Sequence, residues 1–444
     1  MAEKGKRKRI QQQKNDLDRL SSLPDSILTH ILSFLDTRSA ITTSFLSKRY
    51  KLLWTMLPSL DFKLCDSHTE SFKSYVDKFR NPIKKSSVAS FERYVNTVLQ
   101  QREHSNLTTF RVSLHKDVGL EFMQNCVDYA AQHRVQHLRI RGYFKLNPLV
   151  LPEMLLMSSS LITLHLHNAT SCNIELPKLV HLPNLKVLRL KKFEFCDANF
   201  SGELFTGCPS LESLVLSKCW IRAGDKLRVL DVNCLNLKNL EIRYWRSPWR
   251  CFDEHLISVN APRLVCFKFR GHVARMNFKE GLLCLDKACI DLCYPSSCTM
   301  VVDVFERKQK TSESFLSMLR QLSNVKFLSL SLKTIEVVSA LSDLRVCAPC
   351  NFENLRFIKF TTEDKCIEKT IPVETIVQLL EKVVTDVMMF DVYKETKLAP
   401  ECSKKHKNAT TVLLPAHVMR FLLESSPAAE FLSIEIPKAS SNGE

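Results

Sequence analysis

Glycine is scarce in this sequence, with nine residues in 444. Neither a Walker-type phosphate loop nor a Gly-x-Gly-x-x-Gly turn occurs, so the usual backbone cradles for nucleotide phosphates are excluded. Long apolar runs are missing too, and no stretch approaches the roughly 20 apolar residues of a membrane span. The chain opens on the basic run Lys4, Lys6, Arg7, Lys8 and Arg9. The apolar segment of a secretory signal does not follow it, so the chain reads as intracellular, in the nucleus and/or cytoplasm. The basic run itself fits either a nuclear import signal or a solvated arm.

Cysteine, by contrast, is abundant at 17 residues. The odd number and irregular spacing argue against a disulfide framework, and in a reducing compartment buried thiols act as small apolar groups. Cys347-Ala-Pro-Cys350 has zinc or redox spacing but no second ligand pair, and Cys289, Cys293 and Cys298 fit no metal motif. His133 and His137 stand four apart without a third ligand and straddle the end of an expected helix. No metal site, cofactor or catalytic residue is therefore expected. The Asn-x-Ser/Thr triplets at Asn106, Asn168, Asn199 and Asn408 read as chance matches in a chain that is not secreted.

A net charge of +16 calls for an acidic partner, which nucleic acid, an acidic protein or an inositol phosphate would satisfy equally. Residues 1–15 lack periodicity and read as a disordered basic arm, and 437–444 as a disordered tail. Order begins near Leu20. Pro24 and Asp25 suit a first helical turn, and Ile27, Leu28, Ile31, Leu32 and Leu35 form one apolar face. Asp36, Thr37 and Ser39 supply a break and a new cap before a second helix with Ile41, Phe45 and Leu46. Ser47 can cap a third, carrying Tyr50, Leu53, Trp54 and Leu57. About forty residues cannot bury this much apolar surface internally, which points to a partner groove.

The stretch from Leu20 to Leu35, then Thr43-Ser-Phe-Leu-Ser-Lys-Arg-Tyr50, Leu53-Trp54 and Leu57-Pro-Ser-Leu-Asp-Phe62 resemble the plant F-box over residues 18–62. Asp36 departs from the family's frequent Pro, and Tyr50 from its usual Trp. The resemblance implies docking on a Skp-type adaptor, and through it on a cullin scaffold. By motif position the contact would use Leu23, Pro24, Ile27, Leu28, Ile31 and Leu46, some of which would also close the module's own core.

A second signal is a phrase with apolar residues spaced Leu-x-x-Leu-x-Leu. It occurs at Val135/Leu138/Ile140, Leu161/Leu164/Leu166, Leu185/Leu188/Leu190, Leu211/Leu214/Leu216, Leu237/Leu240/Ile242 and Leu264/Phe267/Phe269. These copies start 26, 24, 26, 26 and 27 residues apart, and two more follow at Val325/Leu328/Leu330 and Leu355/Ile358/Phe360. The spacing is that of leucine-rich repeats, with one short strand per repeat along a horseshoe. Gly207-Cys-Pro-Ser-Leu-Glu-Ser-Leu-Val-Leu216 also resembles the repeats of plant F-box proteins, and Pro415–Pro427 their closing segment. Together these identify a plant F-box/leucine-rich-repeat, FBD-like protein.

The expected fold is α/β: a small helical module at 18–62, then a helical linker and array cap at 63–134. A repeat solenoid at 135–365 and a C-terminal cap region at 366–436 follow. Helices are expected around Phe91–Leu99, Phe122–Tyr129, Ile376–Val384 and Val418–Leu423, with a loop near Lys308 and Lys310. Strand alternation turns the later two apolar positions of each phrase inward and the residues between them outward. One open column then holds Arg139, His165, Arg189, Val215, Glu241 and Lys268, and its neighbour Arg141, His167, Lys191, Ser217, Arg243 and Arg270. This basic face suits an acidic or phosphorylated substrate segment. Trp245 and Trp249, with Arg246 and Arg250 beside Pro248, form either a recognition edge or an inter-repeat loop.

The reading is of a non-catalytic substrate-recognition subunit of a Skp-cullin-F-box ubiquitin ligase. Basic nucleic-acid binding and a small-molecule co-receptor role are the alternatives.

Overall fold

The computed structural model describes residues 20, 22–64, 85–102, 107–113, 119–142, 149–168, 174–175, 180–196, 203–222, 226–245, 256–271, 275–292, 313–339, 350–362, 366–381, 387–391, 397–398 and 411–437. The basic arm, the sequons at Asn106, Asn199 and Asn408, and Lys308 and Lys310 lie outside these residues. So do Cys293, Cys298, Cys347 and the Arg246–Arg250 stretch. The chain divides into two compact units, residues 1–177 and 178–444.

In the first unit, helix α1 (Asp25–Leu32) buries Leu28 and Leu32, and α2 (Thr37–Thr42) follows from the Asp36 cap. The second and third expected helices are shorter than the periodicity suggests. Thr43–Phe45 and Leu53–Met56 each make a single tight 3₁₀ turn. Leu53, Trp54 and Leu57 are nevertheless buried. The segment after them is a strand. β1 (Ser59–Lys63) pairs in parallel with β2 (Thr109–Ser113), β2 with β3 (His137–Gly142), and β3 with β4 (Thr163–Asn168). Leu57/Leu60/Phe62 and Leu107/Phe110/Val112 are thus two further copies of the repeat phrase, all buried. The span 63–134, expected as helical linker, holds strand β2 as well as helices α3 (Lys85–Gln101) and α4 (Leu120–Gln132).

These helices cover the inner side of the four strands. Phe62 meets Tyr94 and Phe110 at centroid distances of 6.1 and 6.0 Å, and Phe110 meets Tyr129 at 6.1 Å. Arg102, at 5% exposure, ends this layer. Its guanidinium donates to the Thr55 and Leu57 carbonyls at 3.2 and 2.6 Å. Burial disfavours its charge, while contact with the Tyr129 hydroxyl favours it. Thr37 ties the helices to the sheet, its hydroxyl accepting from the Asp61 N–H at 2.7 Å.

The second unit repeats one element. β5 (Val187–Lys191), β6 (Ser213–Ser217), β7 (Asn239–Trp245), β8 (Cys266–Gly271), β9 (Lys287–Leu292), β10 (Phe327–Ser331) and β11 (Phe357–Thr361) pair in parallel, each in register with the next. The repeat persists past residue 270, where the sequence period loosens, because Leu285/Ala288/Ile290 keep the phrase and are buried. The C-terminal region adds one more parallel strand, β13 (Phe431–Pro437), beside β11. β12 (Cys366–Pro372) pairs antiparallel with β13 and ends the series. The two expected closing helices span Val373–Glu381 and Ala416–Glu424.

The apolar triplets of all eight expected repeats are at most 1% exposed, so the pattern reports a core. Cysteines share that core. Desolvation pushes the thiols of Cys126, Cys208 and Cys219 up to about 12, which makes them inert packing groups at neutral pH. Scarce glycine has a visible consequence too. The residue closing strands β5, β6 and, by register, the Arg243 row of β7 is left-handed: Lys192, Lys218 and Tyr244, with φ of 57°, 55° and 49°. Their equivalent after Arg270 is Gly271. Backbone bonds to the next strand hold two of them, Lys192 N–H to Ser217 O at 2.8 Å and Lys218 N–H to Arg243 O at 2.7 Å.

Replacing Arg102 by Ala strands two buried carbonyls and should cost about 3 kcal/mol locally. The expected readout is roughly a hundredfold loss of hydrogen-exchange protection over 53–63. Lys63→Ala, at the exposed strand end, should cost under about 0.5 kcal/mol.

Candidate functional site

Two surfaces carry the sequence-derived candidates. The first is the outer side of the α1–α2 module. Pro24 ends the approach and precedes α1, whose first-turn Asp25 is gripped by Arg49 through a hydrogen bond at 2.8 Å and an ion pair at 2.6 Å. The same guanidinium donates to the Leu23 carbonyl. Arg49 therefore staples the Ser47–Tyr50 segment to the start of α1, which explains why Leu-Pro-Asp and Lys-Arg-Tyr occur in one motif.

With that geometry Pro24, Ile27, Ile31 and Leu46 stand exposed and Leu23 is half-buried. Leu28, at 1% exposure, faces the module's own core and is not part of the open face. The module also exposes residues that the sequence reading did not assign to the adaptor contact: Phe34, Leu35, Phe45, Leu52 and Met56, with Phe45 87% and Phe34 76% exposed. Leu35 and Phe45 belong to the apolar patterns read from the sequence, whereas Phe34, Leu52 and Met56 fall outside them, in or beside turns. Exposed large apolar side chains grouped in so short a segment are a feature of interaction surfaces.

Asp36 shapes the corner between the helices. Its carboxylate accepts from the Ser39 N–H at 3.0 Å and the Ser39 hydroxyl at 2.7 Å. These bonds hold its pKa below the ordinary 3.8.

The second surface is the open side of the strands, seen in each unit separately. In the first unit Asp61, Arg111, Arg139 and His165 stand in one register column, and Lys63, Ser113, Arg141 and His167 in the next. Asp61 pairs with Lys63 at 3.0 Å and lies 4.0 Å from Arg111. Arg139 and Arg141 make no ion pair among the described residues. The like charges of Arg111 and Arg139 sit directly opposite each other, an arrangement that costs stability until an anion arrives. His137 contacts the Thr163 hydroxyl at 3.0 Å, and His133 contacts the Tyr129 carbonyl at 2.9 Å, beyond the end of α4. The two imidazoles serve a strand and a helix end.

In the second unit the columns run Arg189, Val215, Glu241, Lys268 and Lys191, Ser217, Arg243, Arg270. Two of the basic residues in these columns have carboxylate partners. Arg243 pairs with Glu241 at 2.5 Å and Arg270 with Asp291 at 2.9 Å, each through its Nε, so part of both charges is already neutralised. Arg270 also lies 4.9 Å from the Tyr244 ring, with Lys218 at 5.7 Å. Arg189 and Lys268 are exposed and carry no carboxylate partner among the described residues. Trp245 ends β7. Among the described residues no three His, Cys, Asp or Glu side chains gather for a metal, and no helix is long and apolar enough to cross a membrane. Cys350 is buried, its N–H donating to the Ser425 hydroxyl at 2.9 Å.

Residues 20–62 match the F-box domain model. Residues 123–281 match the model described as the LRR repeats of FBD-associated F-box protein At5g56370. The chain is 28% identical over 297 residues to the Putative F-box/LRR-repeat protein At4g15060 of Arabidopsis thaliana, covering 63% of each. F-box/FBD/LRR-repeat protein At5g56420 of the same plant is 28% identical over 286 residues, covering 63% of this chain and 61% of the relative. F-box/FBD/LRR-repeat protein At2g26030 is 28% identical over 351 residues, covering 76% and 72%. The match spans somewhat under two thirds of the length of the first two relatives.

Because the folded-state pKa of Asp36 is lowered, its cap contributes stability that is present above the ordinary carboxylate pKa. That contribution is lost as pH falls through the lowered value. Asp36→Ala should therefore cost about 1 kcal/mol at neutral pH, and the gap to the parent chain should close in strong acid. Urea midpoints at the two pH values check this.

Proposed function

We propose that this F-box and leucine-rich-repeat chain is a substrate-recognition subunit of a Skp-cullin-F-box ubiquitin ligase. The exposed apolar face of Pro24, Ile27, Ile31, Phe34, Phe45 and Leu46 is the observation that carries the reading. Burying one such side chain is worth about 1.5–3 kcal/mol, so a groove taking several of them binds tightly. In this proposal a Skp-type adaptor supplies the groove and links the chain to a cullin. The strand array is a horseshoe whose open face receives the substrate protein.

The basic columns favour an acidic or phosphorylated segment, with Arg139 and Arg141 in the first unit and Arg189 and Lys268 in the second as the open charges. The chain performs no bond chemistry of its own under this reading. It holds a substrate lysine near a thioester carried by another protein, so its contribution is proximity. Attachment to that assembly puts the chain in the nucleus or cytoplasm.

Co-purification with a Skp-type adaptor tests the proposal. The intact chain should form a one-to-one complex that survives high salt, because an apolar contact is weakly screened whereas nucleic-acid binding weakens steeply. Pro24→Ala combined with Ile27→Asp should abolish the complex, while Lys63→Ala should leave it intact. A folded chain that ignores the adaptor, yet binds an oligonucleotide in low salt only, would move the reading to nucleic acid.

A further inference from the structure

The open face of the last strands differs in kind from the basic columns. At the first outward position, Lys287, Phe327, Phe357 and Phe431 stand in register on β9, β10, β11 and β13. The three rings form a ladder. Phe327 and Phe357 stack at 6.3 Å between centroids and 29° between planes, and Phe357 and Phe431 at 5.6 Å and 15°. Lys287 closes one end, its ammonium 4.7 Å from the Phe327 centroid. Phe357 is 41% and Phe431 37% exposed. Three aromatic rings on an open strand face give up burial that inward positions would supply, and their mutual stacking recovers only part of it.

The surrounding charges are already neutralised. On one side Lys326 pairs with Asp286 at 3.2 Å and Arg356 with Glu430 at 3.6 Å. On the other, Lys359 lies 3.0 Å from both Glu368 and Glu435. Lys287 alone in this patch has no carboxylate partner among the described residues. The patch is thus apolar along its length and singly positive at one end.

From these features we infer that the Phe327–Phe357–Phe431 ladder is a docking surface for an extended peptide segment with apolar side chains at alternate positions and a carboxylate at the Lys287 end. In an extended chain, residues i and i+2 lie about 6.6 Å apart. That step is close to the 6.3 and 5.6 Å between rings, so successive outward side chains fall into successive gaps between rings. The residues between them then point away from the ladder. The occupant is a stretch of the substrate protein, an assignment that rests on the adaptor reading above.

The test uses the full chain bound to its adaptor and a displayed library of random nine-residue peptides as probe. Enriched peptides should carry apolar residues two apart and an Asp or Glu at one end. Resynthesised with a fluorescent label, they should bind at least about ten-fold more weakly to Phe357→Ser or Phe431→Ser. They should also weaken on Lys287→Glu, where exchanging the peptide's acid for Lys restores binding. Adaptor co-purification should be unchanged in all three variants, and Lys287→Glu alters an exposed side chain that the fold does not need. The inference is overturned if no such peptides are enriched, if their apolar residues recur three or four apart, or if binding survives these substitutions. Loss of adaptor binding by the parent chain, with peptide binding still dependent on the ladder, would sink the adaptor reading and leave the docking surface standing.

Discussion

Two buried side chains in each short strand fix the positions of nearly everything on the open faces. Leu188 and Leu190 in β5, Leu214 and Leu216 in β6, and Leu240 and Ile242 in β7 are at most 1% exposed. With neighbouring strands parallel and in register, the residues between them stand in straight outward columns. A slip of one residue would bury Arg189 and Lys191 and expose two leucines, at a cost of several kcal/mol per strand. The arginine column of the first unit and the phenylalanine ladder of the second are therefore products of the same constraint. Selection on the outward positions can change what the surface binds without disturbing the register that holds it.

The helical module obeys the same logic at its junction with the sheet. Its closing phrase Leu57-Pro-Ser-Leu-Asp-Phe62 is also the first strand, so the module has no separate end of its own. Leu28, Leu32, Ala40, Leu53 and Trp54 turn inward. Thr37 and Arg102 supply the hydrogen bonds that bind the turns to the strand and helix behind them. With its inner side committed, the outward apolar residues are left uncovered among the described residues. An apolar face left open while the core side chains are fully buried is characteristic of an interaction surface.

Much of this was legible because each signal is periodic. The eight expected repeat phrases all form buried triplets, since a phrase with two strand-spaced leucines has one low-energy orientation. The Arg49 staple was not legible, because it joins residues 24 apart through a fold no local pattern reveals. The first-unit repeats at Leu57 and Leu107 were masked by helical segments on either side. Ala288 in Leu285/Ala288/Ile290 hid another, its small side chain breaking the apolar pattern while still fitting the core. Strand alternation gives the outward positions of the columns, but the ion pairs their residues make were not readable. Whether Arg243 is free depends on Glu241 two residues away, and whether Arg270 is free depends on Asp291 one strand over.

Those pairings change what the net charge of +16 means. A surplus of cations suggests a surface basic throughout, yet on the open face of the second unit Arg243, Arg270 and Lys359 are paired with Glu241, Asp291, Glu368 and Glu435. Exposed ion pairs add little stability, so their effect is mainly to cancel long-range attraction for anions. Along the phenylalanine ladder the neighbouring cations are paired except for Lys287 at one end, so what is left to recognise there is shape, apolar surface and that single charge. Where cancellation is incomplete, as at Arg139 beside Arg111, the fold alone leaves like charges facing each other across neighbouring strands. Charge chemistry and apolar chemistry thus occupy different strands of one repeated element.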